Sequence, residues 1–315
     1  MARRILIAGA TGEIGRLLTP ALVARGDEVY GLARSPASAE LVRTMGARAV
    51  AGDALDRSAV LAAVGEARPD VIVHQLTAIP KEVPSPRKFM AMFGPTNRLR
   101  REGTRNLVGA ASAHGVSRLV AQSIAFAYRP AGPSVVDESA PLDVEADGAW
   151  GETVRAVADL EEAVLGFGGV VLRYGSFYGP GTSYAPDGAL GSLVMKRRMP
   201  VVGGGGGRQP FIHMEDAVGA AMAAIDAAAA SGVYNVVDDD PALARDWVPG
   251  LAAALGAPTP RRVPAWVARI AAGPDAVRAM TAQRGADNAR ARADLGWEPS
   301  YPGWRAGFPT LLDAA

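Results

Sequence analysis

Gly9-Ala10-Thr11-Gly12-Glu13-Ile14-Gly15 is the stretch whose reading decides the fold. Arg4-Ile5-Leu6-Ile7-Ala8 runs into it, a short apolar run that predicts a buried first strand. Residues 13–25 run out of it, with Ile14, Leu17, Leu18, Ala21, Leu22 and Val23 at helical spacing. Strand, glycine turn and helix in this order suit a dinucleotide. The first glycine permits a tight turn, the second lets backbone approach a pyrophosphate, and the third lets the helix pack close to the strand. The helix start then offers free N–H groups and a partial positive charge to the phosphates.

The remaining 300 or so residues set bounds on this reading. A chain of 315 residues exceeds the size at which one core splits, so one large α/β domain or two domains are expected. Basic and acidic residues number 33 and 32, giving a formal charge of +1, which argues against a polybasic nucleic-acid binder. There is no Cys, hence no disulfide, thiol nucleophile or thiolate-held metal. No His, Asp and Glu spacing predicts a metal site. The opening apolar run is too short for a signal peptide, and no stretch approaches the ~20 apolar residues of a membrane helix. The expectation is a cytoplasmic protein with a small-molecule substrate and no nucleic acid or membrane partner; a homodimer is left open.

Taken in order, strands are predicted at 27–33, 47–51, 70–75, 117–123 and 169–173, alternating with helices at 38–45, 57–64, 97–114 and 150–165. That alternation predicts an α/β fold: a Rossmann doubly wound parallel sheet with a smaller C-terminal substrate domain. The boundaries are 1–176 for the Rossmann domain and 177–315 for the substrate domain, with part of 211–237 returning to the first. The second strand ends in Arg34-Ser35 with no carboxylate, so a guanidinium stands where a 2′-phosphate would lie. This favours NADP(H) over NAD(H). Asp56 is the natural cap of the helix at 57–64, which leaves Asp53 free. Residues 79–95 hold four prolines and read as a loop that either covers a site or merely connects. The arginines at 98, 100, 101 and 105 predict a largely solvated helix face, and the five glycines at 203–207 a hairpin turn.

The chain resembles the extended short-chain dehydrogenases/reductases, the NAD(P)-dependent epimerase/dehydratase group. The resemblance rests on Gly9 to Gly15, Gly52-Asp53, Gly103-Thr104, Leu172-Arg173-Tyr174 through Gly181, Phe211-Ile212-His213 with Asp216, and Leu295-Gly296-Trp297. It implies that the cofactor is held by Gly9, Thr11, Gly12, Glu13, Ile14, Gly15, Arg34, Ser35, Asp53, Ala54, Gln75, Leu76, Thr77, Tyr174, Gly175 and Phe177. It implies that Asp53 meets the adenine amino group, that Ser123 orients the reacting oxygen, and that Ser176 and Arg208 meet substrate.

The same resemblance implies a catalytic Tyr followed four residues later by Lys, a pair that moves a proton while hydride moves on the nicotinamide. Against that pattern Trp150 falls on the Tyr and Val154 on the Lys; a register shifted by three puts Thr153 and Val157 there. The proton then comes from a substrate group, a water or an unconventional side chain such as Tyr178, with Ser123 as the other catalytic candidate. The implied activity is an atypical NADP(H)-dependent oxidoreductase acting on a carbonyl or hydroxyl of a small organic substrate. An epimerase, dehydratase or isomerase is the alternative, and a non-catalytic NADP-binding sensor the third. Gln209 stands where the nucleotide-sugar binders of the group carry Arg, which argues against a nucleotide sugar.

Overall fold

The computed structural model of the chain describes residues 2–80 and 90–313. Seven parallel strands form the central sheet: β1 Arg4–Ala8, β2 Glu28–Ala33, β3 Arg48–Ala51, β4 Val71–His74, β5 Arg118–Ile124, β6 Val170–Tyr174 and β7 Gly232–Val236. Their order is β7-β6-β5-β4-β1-β2-β3, and every neighbouring pair is parallel. The order reverses between β1 and β4, where doubly wound sheets open a crevice at their carboxyl edge.

β1 is apolar from Ile5 to Ala8 because both faces of the sheet are covered. Ile5 and Ile7 pack with Leu18 and Leu22 of α1 (Glu13–Ala24) and with Ala217 and Ala221 of the helix Met214–Asp226. Leu6 and Ala8 face the other way, onto Val60 and Val64 of α2 (Arg57–Ala67), Leu107 and Ala111 of α3 (Thr104–Ala113), and Leu160 of α4 (Gly148–Gly166). A third cluster is aromatic and belongs to the C-terminal part: Tyr178, Tyr184, Phe211, Trp247, Trp304 and Phe308. Helix starts follow local chemistry. Ser35 caps Pro36–Thr44 in a mutual box with Ser38, and the Asp56 carboxylate accepts from the Ser58 and Ala59 N–H groups at the start of α2.

Two expectations change, and a third falls outside the described residues. The long helix expected over 97–114 is broken: Leu99–Gly103 is π-helical between Gly94–Arg98 and α3. The wider turn sends Arg100 inward, where it is buried, while Arg98 and Arg101 remain in surface ion pairs. The glycines at 203–207 do not close a hairpin. Val201–Val202 pairs with Arg262–Val263, and Arg208–Gln209 pairs with Ala242–Leu243. The glycines are needed for close approach instead: Gly205 has φ +61°, with a side chain there 2.7 Å from Arg245 N, and Gly207 N donates to Met280 O at 3.0 Å. The prolines at 84 and 86, and most of the loop expected to cover a site, lie outside the described residues.

The three turn glycines separate into two roles. A side chain at Gly9 (φ +99°) would come within 2.5 Å of Gln75 O, and one at Gly15 would overlap Gly9 O and Ala10. Both are required by the fold itself. Gly12 has φ −78° and ψ −180°, extended backbone that any residue adopts, and a side chain there meets only Gly9 O, at 3.3 Å. We therefore expect Gly12→Val to fold with stability changed by no more than about 0.5 kcal/mol and to lose dinucleotide binding. Gly15→Val should fail to accumulate as folded protein. Calorimetric titration and thermal unfolding read both, and undiminished binding by Gly12→Val would remove this turn as the phosphate site.

Candidate active site

At the carboxyl edge of the sheet, the residues that the sequence assigned to a cofactor come together from five strands. Gly12 is the N-cap of α1 and no side chain closes that helix end, which suits a pyrophosphate. Arg34 is exposed at the end of β2, and among the described residues it has no ion-pair partner. Ser35 beside it is occupied as a helix cap. Asp53 is exposed after β3, its Oδ1 accepting from Leu55 N at 2.9 Å, and Asn106 fixes this corner by donating to Ala54 O at 2.9 Å. Gln75 is buried, its N–H bound to Ala8 O, while Thr77 is exposed. Tyr174 and Phe177 have ring centroids 5.3 Å apart. Gly175 between them is required because a side chain would stand 2.7 Å from Phe211 C. A glycine cradle, an open helix end, and a cation without an opposing carboxylate at β2 fit a nicotinamide dinucleotide.

Beneath this edge lie two buried basic side chains. His74 accepts from Leu76 N at Nδ1 (3.2 Å), so its neutral ring carries the proton on Nε2, 2.9 Å from Thr104 Oγ1. Burial, helped by Arg100, pulls its pKa down to about 4. Burial likewise lowers Arg100 to about 10, opposed by the Glu161 charge. Arg100 Nη1 donates to Asn97 Oδ1 at 3.1 Å, and Asn97 Nδ2 to Thr153 Oγ1 at 3.1 Å.

Ser123 is placed differently from its expected role. It is 2% exposed and its hydroxyl donates to Glu161 Oε1 at 2.6 Å. Glu161 in turn holds Arg173 through two parallel bonds, from Nε at 2.9 Å and from Nη2 at 2.6 Å. Arg173 Nη1 donates to Tyr128 OH (2.9 Å), which donates to Asn235 Oδ1 (2.6 Å). Burial would lower the Arg173 pKa, but the bond and charge of Glu161 outweigh it and drive the value up. In this geometry the Ser123 proton is already committed to a buried carboxylate, and its side chain points under the sheet edge towards α4.

Tyr178 does not stand at the edge either. It is fully buried, with Phe211, His213 and Phe308 packed edge-on at 5.3–5.8 Å. Burial raises its pKa, and Asp238 and Asp216 add to the rise, so it holds its proton tightly. Ser176 is half-buried and accepts from Gln209 Nε2, and Gln209 Oε1 accepts from Gln283 Nε2 at 2.8 Å. Arg208 Nη1 donates to Pro241 O at 3.1 Å, which ties it to the backbone.

The packing around the end of β5 and the start of α4 is apolar. Ile124, Ala127, Trp150, Val154 and Val157 form one buried cluster, with Phe126, Leu142 and Ala146 packed on its rim. α4 contains neither Tyr nor Lys. Above Trp150 sits the Arg278 guanidinium, 4.1 Å from the ring centroid. Sequence reading passed over Arg278, since nothing in the short helix Pro274–Thr281 marks it; only the tertiary contact with Trp150 does.

These contacts predict a separation of stability from chemistry. Ser123→Ala removes one bond to a buried charge and should cost about 1–3 kcal/mol without slowing hydride transfer. Glu161→Leu strands the buried Arg173 and should cost about 3–5 kcal/mol. Chemical denaturation measures both. A Ser123→Ala protein that is fully stable but slow would return Ser123 to the reacting centre.

Comparisons with known proteins identify the family. The model of the NAD dependent epimerase/dehydratase family matches residues 5–237. A 3-diazoavenalumate denitrifying reductase of a Streptomyces species is 50% identical over 97% of this chain and 99% of its own. A 2-alkyl-3-oxoalkanoate reductase of Stenotrophomonas maltophilia is 29% identical over 81% of this chain and 76% of its own. Among solved structures, the Thermus thermophilus UDP-glucose 4-epimerase, in complex with NAD, superposes with a TM-score of 0.74 at 24% identity, covering 98% of each chain. A human epimerase family protein with NADPH gives 0.75 at 22% identity, covering 99% of this chain and 100% of its own. The chain is an NAD(P)-dependent oxidoreductase or epimerase, and it belongs to the NAD dependent epimerase/dehydratase family, with the extended short-chain dehydrogenase/reductase fold.

Proposed function

We propose that the protein is an NADPH-dependent reductase that replaces a diazo group by hydrogen on a small carboxylate. The observation that carries this reading is the apolar filling around Ile124, Trp150 and Val154. Reduction of a carbonyl leaves an alkoxide that must take a proton, and this cluster has no acid to give one. A diazonium carbon needs none. When bound, the reduced nicotinamide supplies a hydride. The hydride pair forms the new C–H bond, the C–N pair leaves with dinitrogen, and the positive charge of the substrate is cancelled, so atoms and charge balance without an acid. The side chains of this chain position the acceptor and exclude water. Trp150 and Ile124, both under a tenth exposed, form the wall, and half-buried Phe126 extends it.

The name of the Streptomyces relative, a denitrifying reductase of a 3-diazo carboxylate, supports this reading at 50% identity. The Stenotrophomonas relative, named for an oxoalkanoate, favours carbonyl reduction at 29% identity. A nucleotide sugar is disfavoured by Gln209, whose amide is engaged by Ser176 and Gln283. NADPH is favoured over NADH by Arg34, free at the end of β2 with no carboxylate beside it.

The test uses an arenediazonium carboxylate and NADPH deuterated at C4. We expect one dinitrogen released per NADPH consumed, deuterium on the carbon that carried nitrogen, and a single-turnover rate that is flat from about pH 6 to 9, where a proton-donating pair would titrate. Carbonyl substrates turning over faster than the diazonium would overturn the reading.

Cofactor choice is tested separately. A charge-assisted bond to the 2′-phosphate is worth about 1.5–3 kcal/mol, so Arg34→Ala should weaken NADPH by roughly 10- to 100-fold and leave NADH nearly unchanged. Equal losses for both dinucleotides would show that Arg34 does not read the phosphate.

A further inference from the structure

Trp150 and Arg278 share an unusual condition. Trp150 is 3% exposed, and its indole N–H has no hydrogen-bond partner. Arg278 presents two further buried donors, Nε and Nη1, also without partners. The guanidinium carbon lies over the indole, 4.1 Å from the ring centroid, and that contact leaves the N–H groups of both side chains without an acceptor among the described residues. Buried donors are paired almost everywhere in folded proteins, and a group of three orphans calls for an acceptor.

The arrangement is built rather than accidental. Gly207 N donates to Met280 O at 3.0 Å and Arg208 N to Gln283 O at 2.7 Å, clamping the C-terminal end of the helix Pro274–Thr281. Beyond it, Gly285–Ala286 pairs with Val135–Val136, in the segment that follows β5. These ladders press Arg278 down onto Trp150. Trp150 itself packs on Ile124 and Ala127 at the end of β5, the carboxyl edge where doubly wound sheets hold their ligands.

We infer that Arg278 and the Trp150 indole N–H form a subsite for the carboxylate of the substrate, beside the reacting centre. The inference rests on the reductase reading above and gives its substrate an orientation. Arg278 is the only cation in the group, and its charge is already opposed by Asp143 and Asp275, neither of which accepts from Nε or Nη1. What points to an acceptor is therefore the pair of unfilled donors on one guanidinium, enough for a carboxylate and too few for a diphosphate. The stacked geometry suits Arg and not Lys, because only a planar guanidinium covers the indole and keeps its edge donors. Trp150 also belongs to the apolar wall, so a flat, conjugated acid would lie along that wall with its charged end at Arg278.

The probes are 4-coumarate, a planar aromatic monocarboxylate, and its uncharged methyl ester, titrated calorimetrically into the full chain loaded with NADP⁺. We expect the acid to bind at least about 10-fold more tightly than the ester. Arg278→Met should weaken the acid by roughly 10- to 100-fold and leave the ester and NADP⁺ unchanged. Trp150→Phe, which keeps the packing and removes the N–H, should weaken the acid by a smaller factor. Equal binding of acid and ester, an Arg278→Met protein that binds the acid like wild type, or a wild type that binds neither probe would each overturn the subsite. If Arg278→Met also loses NADP⁺, the acid-to-ester ratio in Arg278→Lys decides: a ratio at the wild-type value overturns the proposal and a reduced one supports it. The two readings fail separately. Unchanged KM for a diazo carboxylate in Arg278→Met overturns the subsite and leaves the reductase. Acid binding through Arg278 with no diazo turnover supports the subsite and sinks the reductase.

Discussion

The buried ion pair between Glu161 and Arg173 is the constraint on which the site depends. Both side chains are 6% exposed, and the pair joins α4 to β6 while Ser123 ties in β5 and Tyr128 with Asn235 ties in β7. Desolvating two charges is expensive, and the cost is offset only where the geometry is good and the remaining donors are filled. Here the carboxylate takes three donors and the guanidinium has three acceptors: Glu161, Tyr128 OH and Glu138 O. α4 is thereby held in one register against the sheet, and its first turn, which carries Trp150, is delivered to the carboxyl edge.

That placement decides the chemistry available. It supplies a wall of Ile124, Trp150 and Val154. The polar groups nearest to hand are consumed structurally. Ser123 serves Glu161, Thr153 receives from Asn97, and His74 is bound at both ring nitrogens. On the proposed reading, a site so arranged holds a dinucleotide and an acceptor close together in a dry setting, and hydride transfer to a carbon that sheds dinitrogen needs no acid from it.

Likeness to solved epimerase structures at 22–24% identity speaks to the fold and not to the substrate. The C-terminal part of the chain has its own character. Its aromatic cluster is closed on itself, with Tyr178 at 0% exposure and Arg208 anchored to Pro241 O. Arg278 lies over Trp150 instead, from a short helix held by the glycine-rich segment.

The sequence by itself determined the sheet and the cofactor edge. Gly9 to Gly15 between an apolar run and an amphipathic helix, and the alternation that follows, are local patterns whose physics is complete within a few residues. Asp56 as a cap and Arg34 at a strand end are legible for the same reason. The sequence also revealed that α4 lacks Tyr and Lys, though not what stands in their place. Tertiary structure alone decided the rest. Ser123 and Tyr178 have the right side chains at the right places in the order of elements, but which way each points depends on the strand pairing and on partners 33 or more residues away. Arg100 turns inward because of one wide helical turn, which no spacing rule anticipates. Arg278 and Trp150 lie 128 positions apart and meet only because ladders formed by 207–209 and 285–286 bring their elements together, and contacts made by long-range closure leave no periodic trace along the chain.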